Sequence, residues 1–338
     1  MTAGRSIIPI FIPHSGCPND CVFCNQKRIS GSLFPADGES VRRDIAQALE
    51  KLPVELKKEV AFYGGSFTAI PVGEQEELLS AAGEFMARGE IHALRLSTRP
   101  DAIDPDTLAR LKRYGVRTIE LGSQSMCEDV LLASGRGHTA EDTVRAAGMI
   151  KKAGFQLILQ MMTGLPGSSS EKDMESARTI AALHPDGVRI YPTVIVKDTA
   201  LYDMWRRGED AEHTVENAVE LCSQLLPVFR DAGIPVIRLG LNPTEELSAG
   251  AAAGGAYHPA LGEMVLSRML LKKVRPLLEK FAGQDVVVSV HPKRVSAMVG
   301  QKRQNLIVLK NEFRLHSIKV LGNAVNIEDI RVHLIAKR

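Results

Sequence analysis

Residues 13–30 read PHSGCPNDCVFCNQKRIS, and this short stretch contains three of the five cysteines in a chain of 338 residues. Cys17, Cys21 and Cys24 are separated by three and then two residues, so one tight loop can turn all three thiols toward a single point. Three cysteines satisfy three irons of a [4Fe-4S] cluster and leave the fourth iron open, whereas a structural zinc ion normally takes four protein ligands. The spacing therefore predicts an iron-sulfur site with one open iron.

These cysteines have two alternative roles besides an iron-sulfur site. One is a zinc loop that His14 or a distant residue completes. The other is a disulfide, which the sequence favours less because Cys127 and Cys222 lie far along the chain and no secretory signal is recognisable.

The composition is that of an ordinary globular protein, with 44% hydrophobic and 24% charged residues. Its length suffices for one large domain and a small one. Pro9 and Pro13 interrupt the apolar N-terminal run, and no window of about 18 uninterrupted apolar residues occurs, so we expect a cytoplasmic protein without a membrane span. A reducing compartment also suits an oxygen-sensitive cluster.

Short apolar runs alternate with amphipathic helical stretches after the cysteine loop. Asp104 and Thr139 are candidate helix N-caps, and Gly115 and Gly154 are candidate helix ends. The alternation predicts a parallel sheet with right-handed crossovers, either an open doubly wound sheet or a partial barrel, with the chemistry at the carboxyl ends of the strands. The predicted strands are Ile7–Pro13, Val60–Tyr63, Ala93–Ser97, Thr118–Leu121, Gln156–Met161 and Gly187–Tyr191.

The CxxxCxxC motif has an aromatic residue, Phe23, directly before its last cysteine and follows the strand-like run SIIPIFIP. It is similar to the cluster motif of radical S-adenosylmethionine enzymes. The resemblance implies that Cys17, Cys21 and Cys24 hold a [4Fe-4S] cluster and that S-adenosylmethionine binds at its open iron, with Phe23 near the cofactor. It selects the α/β fold of a partial (β/α)6 TIM-like barrel, and we expect a small α+β C-terminal domain beside it.

A glycine-rich turn, Gly64-Gly65-Ser66, follows the second predicted strand, and its glycines allow a ligand to approach the backbone closely. In radical enzymes the matching turn holds the methionyl amino group of S-adenosylmethionine. Ser66 stands where an acid is usual, so backbone carbonyls and a hydroxyl would bind the amine.

Polar residues at the other strand ends complete the predicted cofactor site: Arg99, Glu120, Gln124, Arg136 and Gln160. Arg136 can grip a carboxylate bidentately. The alternative for Arg99 is a loop salt bridge with Asp101. His138 is interpreted as a neighbour of the next helix cap and not as a ligand. Cys127 is a candidate catalytic hydrogen donor or methyl carrier, because it follows the fourth strand's polar cluster.

Longer segments sharpen the resemblance. STRPD, ELGSQS with the later RGHT, AGFQLILQMMTGLPG and YPTVIVKDTALYDMWRRG resemble the radical domain of elongator catalytic subunits, which modify wobble uridine in tRNA, over residues 5–245. Those subunits space their first two cysteines farther apart and continue into an acetyltransferase domain. We find no equivalent of that domain, so acetyl transfer by this chain alone is not expected.

The last part of the chain differs in pattern and charge. Residues 284–338 carry ten Lys or Arg against four Asp or Glu, a local charge of +6 on a chain of net charge +2. Strand, short helix, basic turn, helix and strand follow one another and resemble a KH-type RNA-binding module, whose glycine-rich turn clamps the nucleotide backbone. Gly300 matches the first glycine of that turn, but Arg303 replaces the last. Predicted RNA contacts are Lys293, Arg294, Gly300, Lys302, Arg303 and Lys319.

These patterns predict a barrel domain at 1–245, a helical linker at 246–283 and a KH-like domain at 284–338. The leading hypothesis is a radical S-adenosylmethionine enzyme that modifies RNA, with tRNA as substrate and a flavodoxin or ferredoxin as electron donor. One alternative is a radical enzyme on a small molecule such as a tetrapyrrole. The other is a non-catalytic RNA-binding protein with a structural metal loop.

Overall fold

The computed structural model describes residues 5–12, 16–25, 36–242 and 247–335. The chain divides into two compact units. The first contains Met1–Thr214 and Leu225–Tyr257, and the second contains Val215–Gln224 and His258–Arg338. The helix of the segment predicted as a linker, Leu261–Leu278, belongs to the second unit.

The first unit is built on a seven-stranded parallel sheet whose strands follow one another in chain order. A doubly wound sheet reverses direction at a switch point, whereas a barrel adds each strand beside the last. This order confirms the partial barrel, and all six predicted strands are present. The strands are β1 (Arg5–Phe11), β2 (Lys57–Tyr63), β3 (Ala93–Thr98), β4 (Val116–Gln124), β5 (Gln156–Thr163), β6 (Gly187–Pro192) and β8 (Val236–Leu239).

Helices connect the strands, and several of them begin at side-chain caps. Asp104 and Thr139 accept hydrogen bonds from the backbone of the first helical turn, as predicted, and Gly115 and Gly154 take positive φ just beyond helix ends. The helices are α1 (Gly38–Lys51), α2 (Val72–Ala87), α3 (Pro105–Arg113), α4 (Glu128–Ala133), α5 (Ala140–Lys152), α6 (Ser170–Ala182), α7 (Ala200–Arg206) and α8 (Val215–Asp231).

Strand side chains alternate between a helix-covered face and a concave face. Val60 and Phe62 of β2 are fully buried. Tyr63 follows Phe62 and points to the opposite face, where it reaches Glu120 of β4 and Arg189 of β6. These strands are not neighbours in the sheet, so their side chains meet inside the curved sheet. That interior is the lumen of the barrel.

A small second sheet was not predicted. The glycine- and alanine-rich run before Tyr257 lies in the segment predicted as a helical linker, but β9 (Ala252–Gly255) pairs antiparallel with β7 (Val194–Val196). Strand pairing between distant segments overrides the low strand propensity of glycine and alanine here. At Gly255 a side chain would collide with the carbonyl of Thr193, at 2.7 Å.

The second unit is an α+β arrangement around a three-stranded sheet, which agrees with the expected C-terminal fold. The strand order is β11 (Ser317–Gly322), β10 (Asp285–Val290) and β12 (Ile330–Leu334). Val286, Val288 and Val290 of the central strand are fully buried against Val274 and Leu278. The elements are α9 (Leu261–Leu278), β10 (Asp285–Val290), α10 (Val295–Val299), α11 (Gln304–Glu312), β11 (Ser317–Gly322) and β12 (Ile330–Leu334). Within the described residues, no helix is both long enough and apolar enough to span a membrane.

Candidate active site

The cysteine loop is fastened to the carboxyl ends of the barrel strands by its backbone. The Val22 N–H donates to the Ser134 carbonyl at 3.1 Å, and the Leu201 N–H donates to the Val22 carbonyl at 2.7 Å. Gly16 has φ 70°, and a Cβ there would lie 2.3 Å from the Ser66 carbonyl oxygen. The loop is therefore held between the turn after β2, the end of α4 and the start of α7.

The thiols lie in a cationic environment. The Arg136 Nη1 donates to the Cys21 Sγ at 3.3 Å. Burial raises the pKa of the Cys17 thiol and Cys21 adds to the rise, while the charges of Arg136 and Arg99 oppose it. Positive charge and N–H donors stabilise thiolates, the form in which cysteine binds metals. The donor set therefore fits a group held by thiolates.

No three His, Cys, Asp or Glu side chains of the described residues converge as a site for one metal ion. The sequence argument expected the three thiols to meet at a single point. A [4Fe-4S] cluster requires less convergence, because each of its thiolates binds a different iron.

Arg136 is the most connected residue beside the loop. Besides Cys21, its guanidinium donates to the Gly122 carbonyl at 2.6 Å through Nη2 and to the His138 Nε2 at 3.2 Å through Nε. A guanidinium has five N–H groups, and these bonds use three of them. Two remain, one on each terminal nitrogen, which is the number that a bidentate carboxylate takes.

Arg99 and Ser66 are committed to structural contacts. Arg99 forms a two-bond salt bridge with Asp101, at 2.9 and 3.0 Å, and donates to the Arg136 carbonyl at 2.6 Å. The buried Ser66 hydroxyl contacts the Thr98 hydroxyl at 3.0 Å and accepts from the Arg99 N–H at 3.2 Å. Both residues thus join the ends of β2 and β3 beneath the cysteine loop.

Glu120 lies in the lumen, where protein groups occupy its carboxylate. It accepts from the Tyr63 hydroxyl at 2.7 Å and pairs with Arg189 at 2.7 Å and Arg95 at 3.4 Å. Arg95 also pairs with Glu59 at 3.2 Å. Two acids and two bases therefore alternate across the lumen and balance in charge.

The remaining predicted cofactor residues lie near the same strand ends. Gln124 takes a left-handed φ of 62° and accepts from the Gln160 Nε2 at 3.3 Å. Gly64 has φ 96°, which explains glycine at that turn position. Phe23 packs against a small apolar cluster that includes Met162. The structure thus brings predicted residues of six different segments to one end of the barrel.

The Cys127 thiol contacts helix α6, with the Lys172 carbonyl at 3.6 Å and the Ser176 hydroxyl at 3.7 Å. Burial raises the pKa of this thiol, so it is protonated at neutral pH. A protonated thiol has a hydrogen atom to give. The catalytic role of Cys127 stays a prediction.

Two site residues were missed by sequence reasoning. Asp173 is 2% exposed, accepts from the Gly164 N–H at 2.9 Å and the Ser168 hydroxyl at 2.6 Å, and fixes the loop after β5. Burial raises the pKa of Asp173 to about 6. His213 contacts the Thr163 hydroxyl at 3.1 Å, and burial lowers the pKa of His213 to about 4. Neither belongs to a motif, so no local signal identifies them.

Three residues of the basic turn in the second unit have positive φ. Gly300 has φ 75°, and Lys302 and Arg303 take φ of 49° and 62°. Arg303 therefore adopts the left-handed conformation that glycine favours, although it is not glycine. Lys293, Lys302 and Arg303 are exposed, and Arg294 pairs with Glu328 at 3.6 Å.

Lys319 does not join this turn. Its neighbours Ile318 and Val320 pack against the core of the second unit. Because strand side chains alternate, Lys319 points from the opposite face of the sheet.

Comparison with known proteins agrees with this geometry. A model described as the radical SAM superfamily matches residues 11–180, about half of the chain, and a radical SAM C-terminal domain matches residues 185–270. A tRNA uridine(34) acetyltransferase of Methanocaldococcus infernus is 26% identical over 314 residues, which cover 81% of this chain and 58% of the relative. The Elongator complex protein 3 of Schizosaccharomyces pombe is 27% identical, covering 72% of this chain and 48% of the relative.

The solved structure of archaeal Methanocaldococcus infernus Elp3 with an N-terminal deletion matches with a TM-score of 0.63 at 26% identity. The match covers 81% of this chain and 65% of that structure. The chain thus spans about half of the length of the relatives that it matches by sequence.

Proposed function

The chain belongs to the radical S-adenosylmethionine superfamily, and from this we propose that it is a radical enzyme that modifies RNA, with tRNA as its substrate. Enzymes of this superfamily use a [4Fe-4S] cluster and S-adenosylmethionine. The relatives named for tRNA uridine(34) acetyl transfer and for the elongator complex support an RNA substrate. The loop of three cysteines, with Arg136 against Cys21, is the observation that carries the proposal.

In this proposal Cys17, Cys21 and Cys24 hold the cluster. When bound there, a cluster reduced by a flavodoxin or ferredoxin would supply the electron for reductive cleavage of S-adenosylmethionine into methionine and a 5′-deoxyadenosyl radical, which would abstract a substrate hydrogen. Arg136 binds the cofactor carboxylate through its two remaining N–H groups. Gly64 and Gly65 let the cofactor amine approach backbone carbonyls. Gln124, Gln160 and Phe23 border the cofactor at the strand ends.

The ion pairs of the lumen and the salt bridge between Arg99 and Asp101 support this site indirectly. Glu120 keeps Tyr63 and Arg189 in place, and Arg99 supports the backbone of Arg136. Both were predicted to surround the cofactor. Their contacts favour a role in holding the strand ends that carry the binding groups.

The radical half of the proposal is tested by forming 5′-deoxyadenosine. Protein reconstituted anaerobically with iron and sulfide is mixed with S-adenosylmethionine and dithionite, with and without tRNA. We expect 5′-deoxyadenosine, and more of it with tRNA. Cys24→Ser should lose cluster iron, whereas Cys127→Ser should keep it. A fully loaded wild-type protein that forms no 5′-deoxyadenosine would refute the radical assignment.

The RNA half is tested by the salt dependence of tRNA binding. Lys302→Gln with Arg303→Gln removes two charges at the turn, so the slope of log K against log salt should fall by about 2. Lys319→Gln is the matched control, since it removes a charge from the opposite sheet face. Absent or salt-insensitive tRNA binding by the wild type counts against an RNA substrate.

A further inference from the structure

A chain of hydrogen bonds runs from helix α5 to the cysteine loop. The His138 Nδ1 lies 3.1 Å from the Thr139 carbonyl, its Nε2 lies 3.2 Å from the Arg136 Nε, and the Arg136 Nη1 lies 3.3 Å from the Cys21 Sγ. His138 and Arg136 are 6% and 7% exposed. Solvent therefore competes little for these bonds.

The direction of each bond in this chain is determined by chemistry. Arginine has only donors, so the His138 Nε2 must accept. The imidazole proton then lies on Nδ1, which donates to the Thr139 carbonyl. Burial, with the adjacent charge of Arg136, lowers the pKa of His138 to about 4. His138 is therefore neutral and can accept throughout the physiological range.

His138 holds an orientation that Arg136 would not keep by itself. Thr139 caps helix α5, so the carbonyl that anchors His138 belongs to a rigid helix start. The other end of the guanidinium is held by the Gly122 carbonyl of β4 at 2.6 Å. Between these two anchors, Nη1 is directed at the Cys21 sulfur.

We propose that His138 is a positioning residue that holds Arg136 against Cys21, and that the Arg136 N–H to sulfur bond raises the reduction potential of the cluster. The inference rests on the proposed function, in which Cys21 is a cluster ligand. Hydrogen bonds to cluster sulfurs and nearby positive charge stabilise the added electron, so they raise the potential. The sequence motif points to Arg136 as a carboxylate clamp, and the geometry assigns it this additional task.

The test is the midpoint potential of the cluster, measured by EPR during a dithionite titration without S-adenosylmethionine. His138→Phe keeps an aromatic ring but removes the acceptor, whereas His138→Gln keeps an acceptor oxygen. His92→Phe is the matched control, because the exposed His92 also contacts an arginine, Arg117, at 2.8 Å. Leaving out S-adenosylmethionine separates this effect from carboxylate binding.

We expect His138→Phe to shift the midpoint to a more negative potential at wild-type iron content. His138→Gln should lie close to the wild type, and His92→Phe should equal it. A wild-type midpoint in loaded His138→Phe overturns the inference. If His138→Phe does not fold, the Arg136→Lys variant provides the test. A lysine ammonium keeps the positive charge but cannot contact both His138 and Cys21. A wild-type midpoint potential in Arg136→Lys would also overturn the inference. A wild-type protein that loads no cluster would instead refute the proposed function.

Discussion

Replacing Glu120 with glutamine tests the chain of charges across the lumen. The Glu120 side chain is 3% exposed and contacts Arg95, Arg189 and the Tyr63 hydroxyl. After Glu120→Gln, Arg95 keeps Glu59, but Arg189 has no acidic partner in this network. Breaking a buried pair in this way costs about 3–5 kcal/mol, a large share of the roughly 5–15 kcal/mol that stabilises a typical protein.

Urea unfolding measures this loss through the fluorescence of Trp205, the single tryptophan of the chain, which lies in α7 of the first unit. The midpoint should fall by roughly 1–2 M urea. Glu209→Gln is the matched control, because Arg207 and Glu209 form a similarly short pair at the surface. Solvent screens that pair, so its midpoint should stay at the wild-type value.

A second variant distinguishes lost pairing from a general defect. Adding Arg189→Met to Glu120→Gln removes the unpaired charge and leaves Glu59 and Arg95 as a neutral pair. The double variant should recover about half or more of the loss. The reasoning is refuted if Glu120→Gln unfolds at the wild-type midpoint, or if the double variant is less stable than the single one.

Three further predictions follow from individual contacts. The folded-state pKa of Asp173 is about 6 against an ordinary value of 3.8, so the folded state holds the extra proton between them and stability falls as the pH rises across that window. In urea unfolding, the wild type should lose about 2 kcal/mol more than Asp173→Asn from pH 4 to 6. Gly16→Ala should abolish most cluster loading, measured as bound iron, because the alanine Cβ would collide with the Ser66 carbonyl. The control Gly208→Ala has a similar φ of 71° but open space around the Cβ, so this variant should bind the wild-type amount of iron. Arg303→Gly should stabilise the second unit by about 0.5–1 kcal/mol, since relief of left-handed strain exceeds the entropy cost of glycine, and hydrogen exchange in α11 would report it.

Each of these predictions has a contrary outcome. Equal pH profiles for the wild type and Asp173→Asn would mean that the carboxyl does not titrate in that window. Full iron content in Gly16→Ala would show that the loop can shift without losing its ligands. Faster exchange in Arg303→Gly would show that the arginine side chain stabilises the turn.

Local signals in the sequence were sufficient for most of the helices and strands. The Asp104 and Thr139 caps were predicted correctly because a cap depends on residues within one helical turn. The six predicted strands of the seven-stranded sheet were found because each is a short buried apolar run. Strands β9 and β12 were not predicted, since their stability comes from pairing with segments far along the chain.

The sequence also located most of the candidate site, because a parallel βα order brings the strand ends together whatever the details of packing. It could not say what each polar group binds. Ser66 was expected to bind the cofactor amine, yet its hydroxyl lies against Thr98 of the next strand. The partner of the Ser66 hydroxyl depends on a separation of about 3 Å between groups on neighbouring strands. The order of residues along the chain does not give such separations.

The sequence alone determined the cysteine spacing, the repeated alternation of strand and helix, and the resemblance to radical enzymes. Those features are local or periodic. Only the tertiary structure decided that Glu120 belongs to a lumen ion chain and that His138 anchors Arg136 on Cys21. The physical reason is that a buried charge or donor must find a partner in space, and the Cys21 and Arg136 partners are separated by 115 residues of chain.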